Sequence, residues 1–261
     1  ALEWLANRYN IEIPAFAGGG EKRSEKERLY AINEAALRFF RASLKAPAGE
    51  IAMNYLRGRG IDAALAAEFD LGYAPREWQA LSDKLMEYGA KSADLLKLGL
   101  AKERRDQGPA GGGEGRRHYD AFRHRLTFAI RSVTGRVIGF AGRALSEEDT
   151  PKYLNVTNTP LYNKSQVLYN LDRAKGHFRD SGAVVVEGYM DVIGLASAGV
   201  HNSVATCGTA LTTEHVKLLK RYGERFCLAF DGDEAGRRAA WSAGVLFLRE
   251  GLDVRVVDLP G

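Results

Sequence analysis

Two short apolar runs, each stopped at once by acid and glycine, constrain this chain more than any other feature: AVVVEGYMD, Ala183 to Asp191, and FCLAFDGDEAG, Phe226 to Gly236. Such a run predicts a buried strand ending in a tight turn that opens a helix. Glu187 and Asp231 stand 44 residues apart, with room for one helix and one strand between them. Strands spaced in this way pair in parallel and deliver their turns to one edge. In an open parallel sheet the C-terminal edge holds ligands, because side chains there leave the packed core while the backbone stays rigid. Glu187, Asp191, Asp231 and Asp233 are therefore expected to share one crevice. Carboxylates held together repel and are relieved by a proton or a cation, and hard oxygen donors favour Mg²⁺ or Mn²⁺. An Asp ahead of a helix is also an ordinary N-cap, and acids in a first turn complement the helix dipole. For one Asp-x-Asp alone capping is the commoner outcome; the paired turns favour a shared site.

From Ser165 onward helices and strands alternate: VLYNLDRAKGHF as helix, AVVVEG as strand, MDVIGLASAG as helix, SVATCG as strand, TEHVKLLKRYG as helix, FCLAFD as strand, EAGRRAAWSAGVLFLREG as helix and DVRVVDLP as strand. This pattern specifies an α/β unit, a parallel sheet covered by helices with right-handed crossovers. In its middle turn Thr209 and Thr212 or Thr213 are expected to cap, and Gly208 lets backbone approach the site. Arg237 and Arg238 are expected to pair with Asp233 and Glu234 at helical spacing.

The upstream half reads as a mixed α+β region. Leu29, Ile32, Ala36, Phe39, Phe40 and Leu44 recur at spacings of three and four, which predicts a helix from about Glu25 to Leu44 packed on one face. A second helix, Glu50 to Arg57, ends at Gly58 and Gly60, between which Arg59 is free to approach a backbone phosphate or to complement the helix dipole. FDLGYAP reads as strand and turn, and Trp78 to Tyr88 and Ser92 to Leu98 as short helices without chemistry. LTFAIRS and RVIGFAG, separated by a Thr-Gly turn, predict a hairpin on which Arg123, Arg125, Arg131, Arg136 and Arg143 line one side. Residues 102–143 hold 10 basic and 4 acidic side chains, net +6, whereas residues 165–261 hold 11 and 12, net −1. A local basic surplus beside an acidic edge suits an enzyme that handles a polyanion.

Other classes are excluded or bounded by composition. No apolar run approaches the roughly 20 residues that span a bilayer, so a cytoplasmic protein without membrane contact is expected. Cys207 and Cys227 lie outside any CxxC or metal spacing and read as buried thiols, so this chain encodes no zinc site. His118 and His124 read as exposed loop histidines. The Gly111–Gly113 run is not followed by Lys-Ser/Thr and is no phosphate loop of the Walker kind.

EGYMDV followed by DGDEAGRRAA resembles the Toprim module, and specifically that of bacterial DnaG-type primases. Tyr55, Leu56, Arg59 and Gly60 match that family's YLxxRG motif, and the hairpin, TPKYLN and the lysine ahead of LYNL place Arg143, Lys152 and Lys164 at its basic positions. Ala129 stands where proline is usual, Val156 replaces a serine, and Asn163 precedes Lys164 where a histidine is common. The resemblance covers nearly all of residues 25–261. It implies three parts: residues 1–24 as the end of a zinc-binding domain and its linker, 25–164 as a basic α+β subdomain, and 165–261 as a Toprim subdomain. It implies DNA-templated synthesis of short RNA primers from ribonucleoside triphosphates, with Arg59, Arg143, Lys152 and Lys164 along single-stranded template and the RNA primer–DNA hybrid. Glu187 would serve as general base or metal-linked acid, Asp231 and Asp233 would hold Mg²⁺ or Mn²⁺, and Asp191 would assist them. Zinc is expected only in the domain ahead of the linker, and helicase and single-strand-binding-protein contacts only in a full-length protein. The family carries a further acidic pair beyond LPG, so a chain stopping there is expected to bind single-stranded DNA but to make primers poorly. The same acids also serve Toprim nucleases and topoisomerases that cut strands, and a non-catalytic nucleic-acid-binding module is the third possibility.

Overall fold

The computed structural model describes residues 20–104 and 118–257. Most of the expected domain end and linker over residues 1–24, the Gly111–Gly113 run and the LPG end lie outside them. Helix α1 (Gly20–Lys45) starts earlier than the apolar stripe predicts, so the linker expected to run to residue 24 is helical from Gly20. Glu, Lys and Arg are good helix formers, and a charged overhang extends a packed helix without apolar residues of its own. Leu29, Ile32, Ala36, Leu37, Phe40 and Leu44 form its buried face, while Phe39 is only half-buried.

Helices α2 (Glu50–Arg57) and α3 (Ala63–Glu68) follow, the latter capped by Asp62, whose Oδ1 accepts from Leu65 N at 2.8 Å. After β1 (Gly72–Ala74) come α4 (Ala80–Glu87) and α5 (Ser92–Lys97), then a small ladder of β2 (Ala101–Glu103) and β3 (His118–Asp120). The predicted hairpin is β4 (Arg125–Arg131) and β5 (Val137–Ala144), and with β6 (Tyr153–Asn155) it makes an antiparallel sheet of order β1-β4-β5-β6. Phe40 of α1 packs edge-on against Phe140 of β5 at 5.2 Å, and this pair sits in the core beneath the sheet.

The five hairpin arginines do not form one basic face. Leu126 pairs with Arg143 and Arg125 with Ala144, so period-2 alternation sends Arg125 and Arg143 to opposite sides of the sheet. Arg125 is buried, donating to Pro151 O at 2.7 Å; Arg131 is bound to Asp70; Arg136 forms a fork with Glu27 at 2.7 and 2.8 Å. His118 and His124 are likewise buried rather than exposed. His124 Nδ1 lies 2.6 Å from Asp149 Oδ2 and its Nε2 lies 3.2 Å from Arg76.

The second sheet has the order β11-β10-β8-β9-β7. Its members are β7 (Leu168–Tyr169), β8 (Ala183–Val186), β9 (Ser203–Thr206), β10 (Arg225–Leu228) and β11 (Asp253–Val256). Four strands are parallel, but β7 runs antiparallel to β9, so the sheet is mixed. The single helix expected over VLYNLDRAKGHF is replaced by β7 and two short helices, α6 (Leu171–Ala174) and α7 (Phe178–Ser181). Asn170 breaks the run: it takes φ 66°, which Asn tolerates, and its Nδ2 donates to Ser203 O at 3.0 Å in the neighbouring strand. Helices α8 (Tyr189–Ser197), α9 (Thr213–Lys220) and α10 (Glu234–Arg249) complete the unit.

Strand alternation splits the cores. Val186 and Ala205 join α8 and the antiparallel sheet in one continuous core, while Val185, Val204 and Leu228 face α9 and α10 in another. Helix α8 is thus wedged between the two sheets, and its first turn is held from both. No helix among the described residues is long and apolar enough to cross a membrane.

Both cysteines are free; Cys207 is buried, but Cys227 is only half so. Burial pushes the Cys207 thiol up to about 11, against the pull of the nearby Tyr162 and Tyr189 hydroxyls, so thiolate is scarce at neutral pH. Iodoacetamide at pH 8 should label Cys227 first and leave Cys207 untouched until denaturant is added, as peptide mass mapping would read; native labelling of Cys207 would contradict this packing.

Candidate nucleotidyl-transfer site

Val185 of β8 and Leu228 of β10 are in register, so the chain segments just past them emerge side by side. Asp231 N donates to Glu187 Oε1 at 2.9 Å, which fixes the glutamate at the sheet edge with its second oxygen uncommitted. Asp191 and Asp233 do what the capping alternative expects. Asp191 Oδ2 accepts from Gly188 N at 2.8 Å in the first turn of α8, and Asp233 Oδ1 accepts from Gly236 N at 2.7 Å as N-cap of α10. Gly236 is required here, since a Cβ would collide with the Asp231 carbonyl folded over it. Among the described residues no three acidic, histidine or cysteine side chains are gathered around one point in a metal-holding arrangement. The acids share an edge, and capping bonds engage two of them.

Their electrostatics still couple. The Asp191 carboxyl lies above the usual range, chiefly because surrounding protein strips its water; the Gly188 amide opposes this, Asp231 adds repulsion, and Arg59 pulls it back down. A cation at this edge would relieve the same repulsion.

That influence of Arg59 locates the basic side of the site. Arg59 is exposed and sits 5.5 Å from the Tyr55 ring centre; Arg143 lies 4.8 Å from the same ring and 5.3 Å from that of Tyr153. Arg143 Nη1 donates to the Tyr153 hydroxyl at 3.1 Å, yet its buried Nε has no partner among the described residues. Desolvation raises the Tyr153 hydroxyl, Arg143 lowers it, and Tyr55 and Asp191 raise it further. The Tyr153 ring lies 6.2 Å from that of Tyr189, which opens the helix bearing Asp191, so the aromatic and cationic cluster reaches the acid edge. Lys152 and Lys164 are exposed; Lys152 O accepts from Ala144 N at 2.8 Å, beside Arg143 on the same sheet.

Sequence reasoning missed a second aromatic element. Trp78, assigned no chemistry from its sequence, is 58% exposed, with Arg123 4.2 Å from its ring centre and Tyr119 edge-on at 5.6 Å. It stands near a cleft of about 440 Å³ whose lining includes Arg76, Lys102, Tyr119 and Arg123 together with the acids Glu148 and Asp149. Its only sequence signal is an aromatic residue in a polar, weakly periodic stretch. Elsewhere the local readings hold: Thr212 caps α9 by accepting from His215 N at 3.1 Å, and Arg238 pairs with Glu234. Arg237, expected to pair with an acid, donates instead to the carbonyl of Gly232.

Comparison with known proteins decides the kinship. The model of the DNA primase catalytic core, N-terminal domain, matches residues 39–175, and a Toprim-like model matches residues 184–261. The DNA primase of Pseudomonas aeruginosa is 42% identical over 269 residues, covering 100% of this chain and 39% of that protein. The chain belongs to the DNA primase family. The Escherichia coli K12 primase is 36% identical, covering 99% of the chain and 44% of its own length, so the chain spans about two-fifths of these relatives. Among solved primases, the Aquifex aeolicus structure of zinc-binding and RNA polymerase domains superposes with a TM-score of 0.83 at 35% identity, covering 99% of this chain and 60% of that one. A DnaG primase catalytic domain bound to single-stranded DNA superposes at 0.79 and 35% identity, covering 91% and 73%. The mixed α/β architecture is that of the primase catalytic core.

Proposed function

We propose that this chain forms the template-holding and metal-binding part of a primase that joins ribonucleotides on single-stranded DNA. One observation carries the reading: the Arg59–Tyr55–Arg143–Tyr153 cluster reaches the edge bearing Glu187, Asp191 and Asp231, so phosphate-binding and metal-binding chemistries meet at one place. The donor set fits a hard divalent ion, because every candidate ligand is a carboxylate and two of them repel. Mg²⁺ or Mn²⁺ held by Glu187, Asp231 and Asp233, with Asp191 beside them, would lower the attacking hydroxyl pKa and neutralise triphosphate charge.

The protein's own groups do the rest. Arg59, Arg143, Lys152 and Lys164 hold backbone phosphates, and Arg143 has its guanidinium anchored on the Tyr153 hydroxyl. Trp78 offers a base-stacking face backed by Arg123. Glu187, pinned by the Asp231 amide, accepts the proton of the attacking hydroxyl or stays with the ion. Ribonucleoside triphosphates and the growing RNA–DNA hybrid are its substrates in this reading, with helicase and single-strand-binding protein as partners of the full-length protein.

The test is binding followed by synthesis. Fluorescence anisotropy should give salt-dependent affinity for a single-stranded oligonucleotide. Lys152→Ala should flatten the log–log salt slope by about 1, and Trp78→Ala should weaken binding roughly tenfold, the worth of one stacked base. With template and labelled ribonucleotides the full-length protein should extend short RNA. Plasmid nicking with Mg²⁺ and no nucleotides, without such extension, would overturn the reading in favour of a strand-cutting Toprim enzyme.

A further inference from the structure

Asn155, the last residue of β6, stands in the sheet that carries Arg143 and Lys152, yet its carboxamide touches two turns of the other sheet. Its Oδ1 accepts from the Tyr189 hydroxyl at 2.5 Å. Its amide also lies against Gly208, at φ 70°, where any Cβ would overlap Nδ2 and crowd Cγ at 2.9 Å. Tyr189 opens α8, next to Gly188 and two residues ahead of Asp191; Gly208 begins the turn after β9, the strand beside β8. One side chain therefore meets both turns that flank the acid edge.

The surroundings make this contact stiff. The Tyr189 ring is buried, stacked on Phe128 at 5.0 Å, edge-on to Tyr169 at 4.9 Å, and tilted beside Tyr153 at 6.2 Å. The thiol of Cys207, a weak acceptor, also lies near its hydroxyl. Asn155 pairs with Ala141, and in the same ladder Tyr153 pairs with Arg143, so the amide and the arginine are held two residues apart on a paired strand. That spacing is about 7 Å of rigid backbone.

We infer that Asn155 is a positioning residue: it sets the distance between the DNA-bearing sheet and the acid edge through its contact with Tyr189 and Gly208. The inference rests on the primase reading. In this role Asn155 acts through Tyr189 and Gly208: it fixes where the sheet with Arg143 and Lys152 stands relative to the helix with Asp191. Loss of its carboxamide leaves template and ion bound, each on its own element, but at an unregistered separation. Since in-line transfer depends on sub-ångström placement, the effect falls on turnover.

Asn155→Ala and Tyr189→Phe remove the two ends of one hydrogen bond, and the second keeps the aromatic packing intact. Each should lower kcat for templated primer synthesis in the full-length protein about tenfold. KM for ribonucleotides and Kd for an oligonucleotide and for Mn²⁺ should move less than twofold. The double variant should be no worse than either single, because both delete the same coupling. A measurement independent of turnover uses an oligonucleotide carrying a fluorine label: Mn²⁺ at the acid edge broadens its resonance according to distance, and both variants should broaden it less at equal occupancy. Unchanged kcat with unchanged broadening, or a fall in kcat matched by equal loss of DNA binding and of Tm, would overturn the assignment. If the unsubstituted protein makes no primer, the primase reading falls, and the broadening comparison still decides whether Asn155 sets the separation.

Discussion

Glu187→Gln should reduce templated ribonucleotide incorporation by about 10²- to 10³-fold, the range for removing one preorganised charge from a transfer site. The substitution is nearly isosteric, and its amide oxygen can still accept from Asp231 N, so the turn after β8 keeps its shape. What disappears is the negative charge that holds the ion or takes the proton. Binding of single-stranded DNA depends on Arg59, Arg143 and the lysines and should stay within about twofold, as cationic backbone contacts are separate from the acid edge. Tm should hold or rise slightly, because one of several mutually repelling carboxylates is gone. The measurement is steady-state incorporation with Mn²⁺ titrated, beside anisotropy on the same preparation. Retention of full incorporation would remove Glu187 from the chemistry and favour a module that only binds nucleic acid.

Asp70→Ala should destabilise the fold by about 3–5 kcal/mol, the cost of leaving buried charge without its partner. The Asp70 carboxylate, 8% exposed, accepts from three guanidinium groups: Arg41 at 3.1 Å, Arg131 at 2.6 Å and Arg173 at 3.0 Å. Those arginines belong to α1, β4 and α6, and Arg173 also donates to Glu68 O at 2.8 Å. One carboxylate therefore ties the long N-terminal helix, the hairpin and the start of the second unit together. For a chain of this size the loss corresponds to a fall in Tm of roughly 10 °C, read by calorimetry or circular dichroism. Asp70→Asn should cost less, since Asn tolerates φ 53° and still accepts hydrogen bonds. Adding Arg131→Met to Asp70→Ala should recover part of the loss, because it removes the most enclosed of the stranded charges. A change in Tm within 2 °C for Asp70→Ala would show that solvent already screens the cluster.

Much of the second unit was legible because its signals are local. Apolar runs cut off by acid and glycine identify β8 and β10, and the spacing between them identifies a parallel pair, which brings Glu187 beside Asp231. Capping chemistry, a matter of three or four consecutive residues, narrowed the cap of α9 to Thr212 or Thr213, and the structure shows Thr212. Where a segment's identity depends on what lies beside it, local reading failed. Leu168 and Tyr169 fit a helical period, yet strand β9 has an open edge, and pairing there satisfies backbone groups that a helix start would leave to water. The hairpin arginines were counted as one basic face, although alternation and the carboxylates Asp70 and Glu27 divide them.

The sequence by itself determined the strands that carry the acids, the carboxylates at the edge of the α/β unit and the excess of cations upstream, since each follows from residue type and short spacing. Only the tertiary structure decided which cations remain available. Arg131 and Arg136 are bound to acids 61 and 109 residues away, Arg125 is buried on the far side of its sheet, and Arg143, between the rings of Tyr55 and Tyr153, has no acid partner among the described residues. The bridge from Asn155 to Tyr189 and Gly208 was likewise invisible along the chain, because van der Waals fit and hydrogen-bond pairing between distant segments leave no periodic trace in either one.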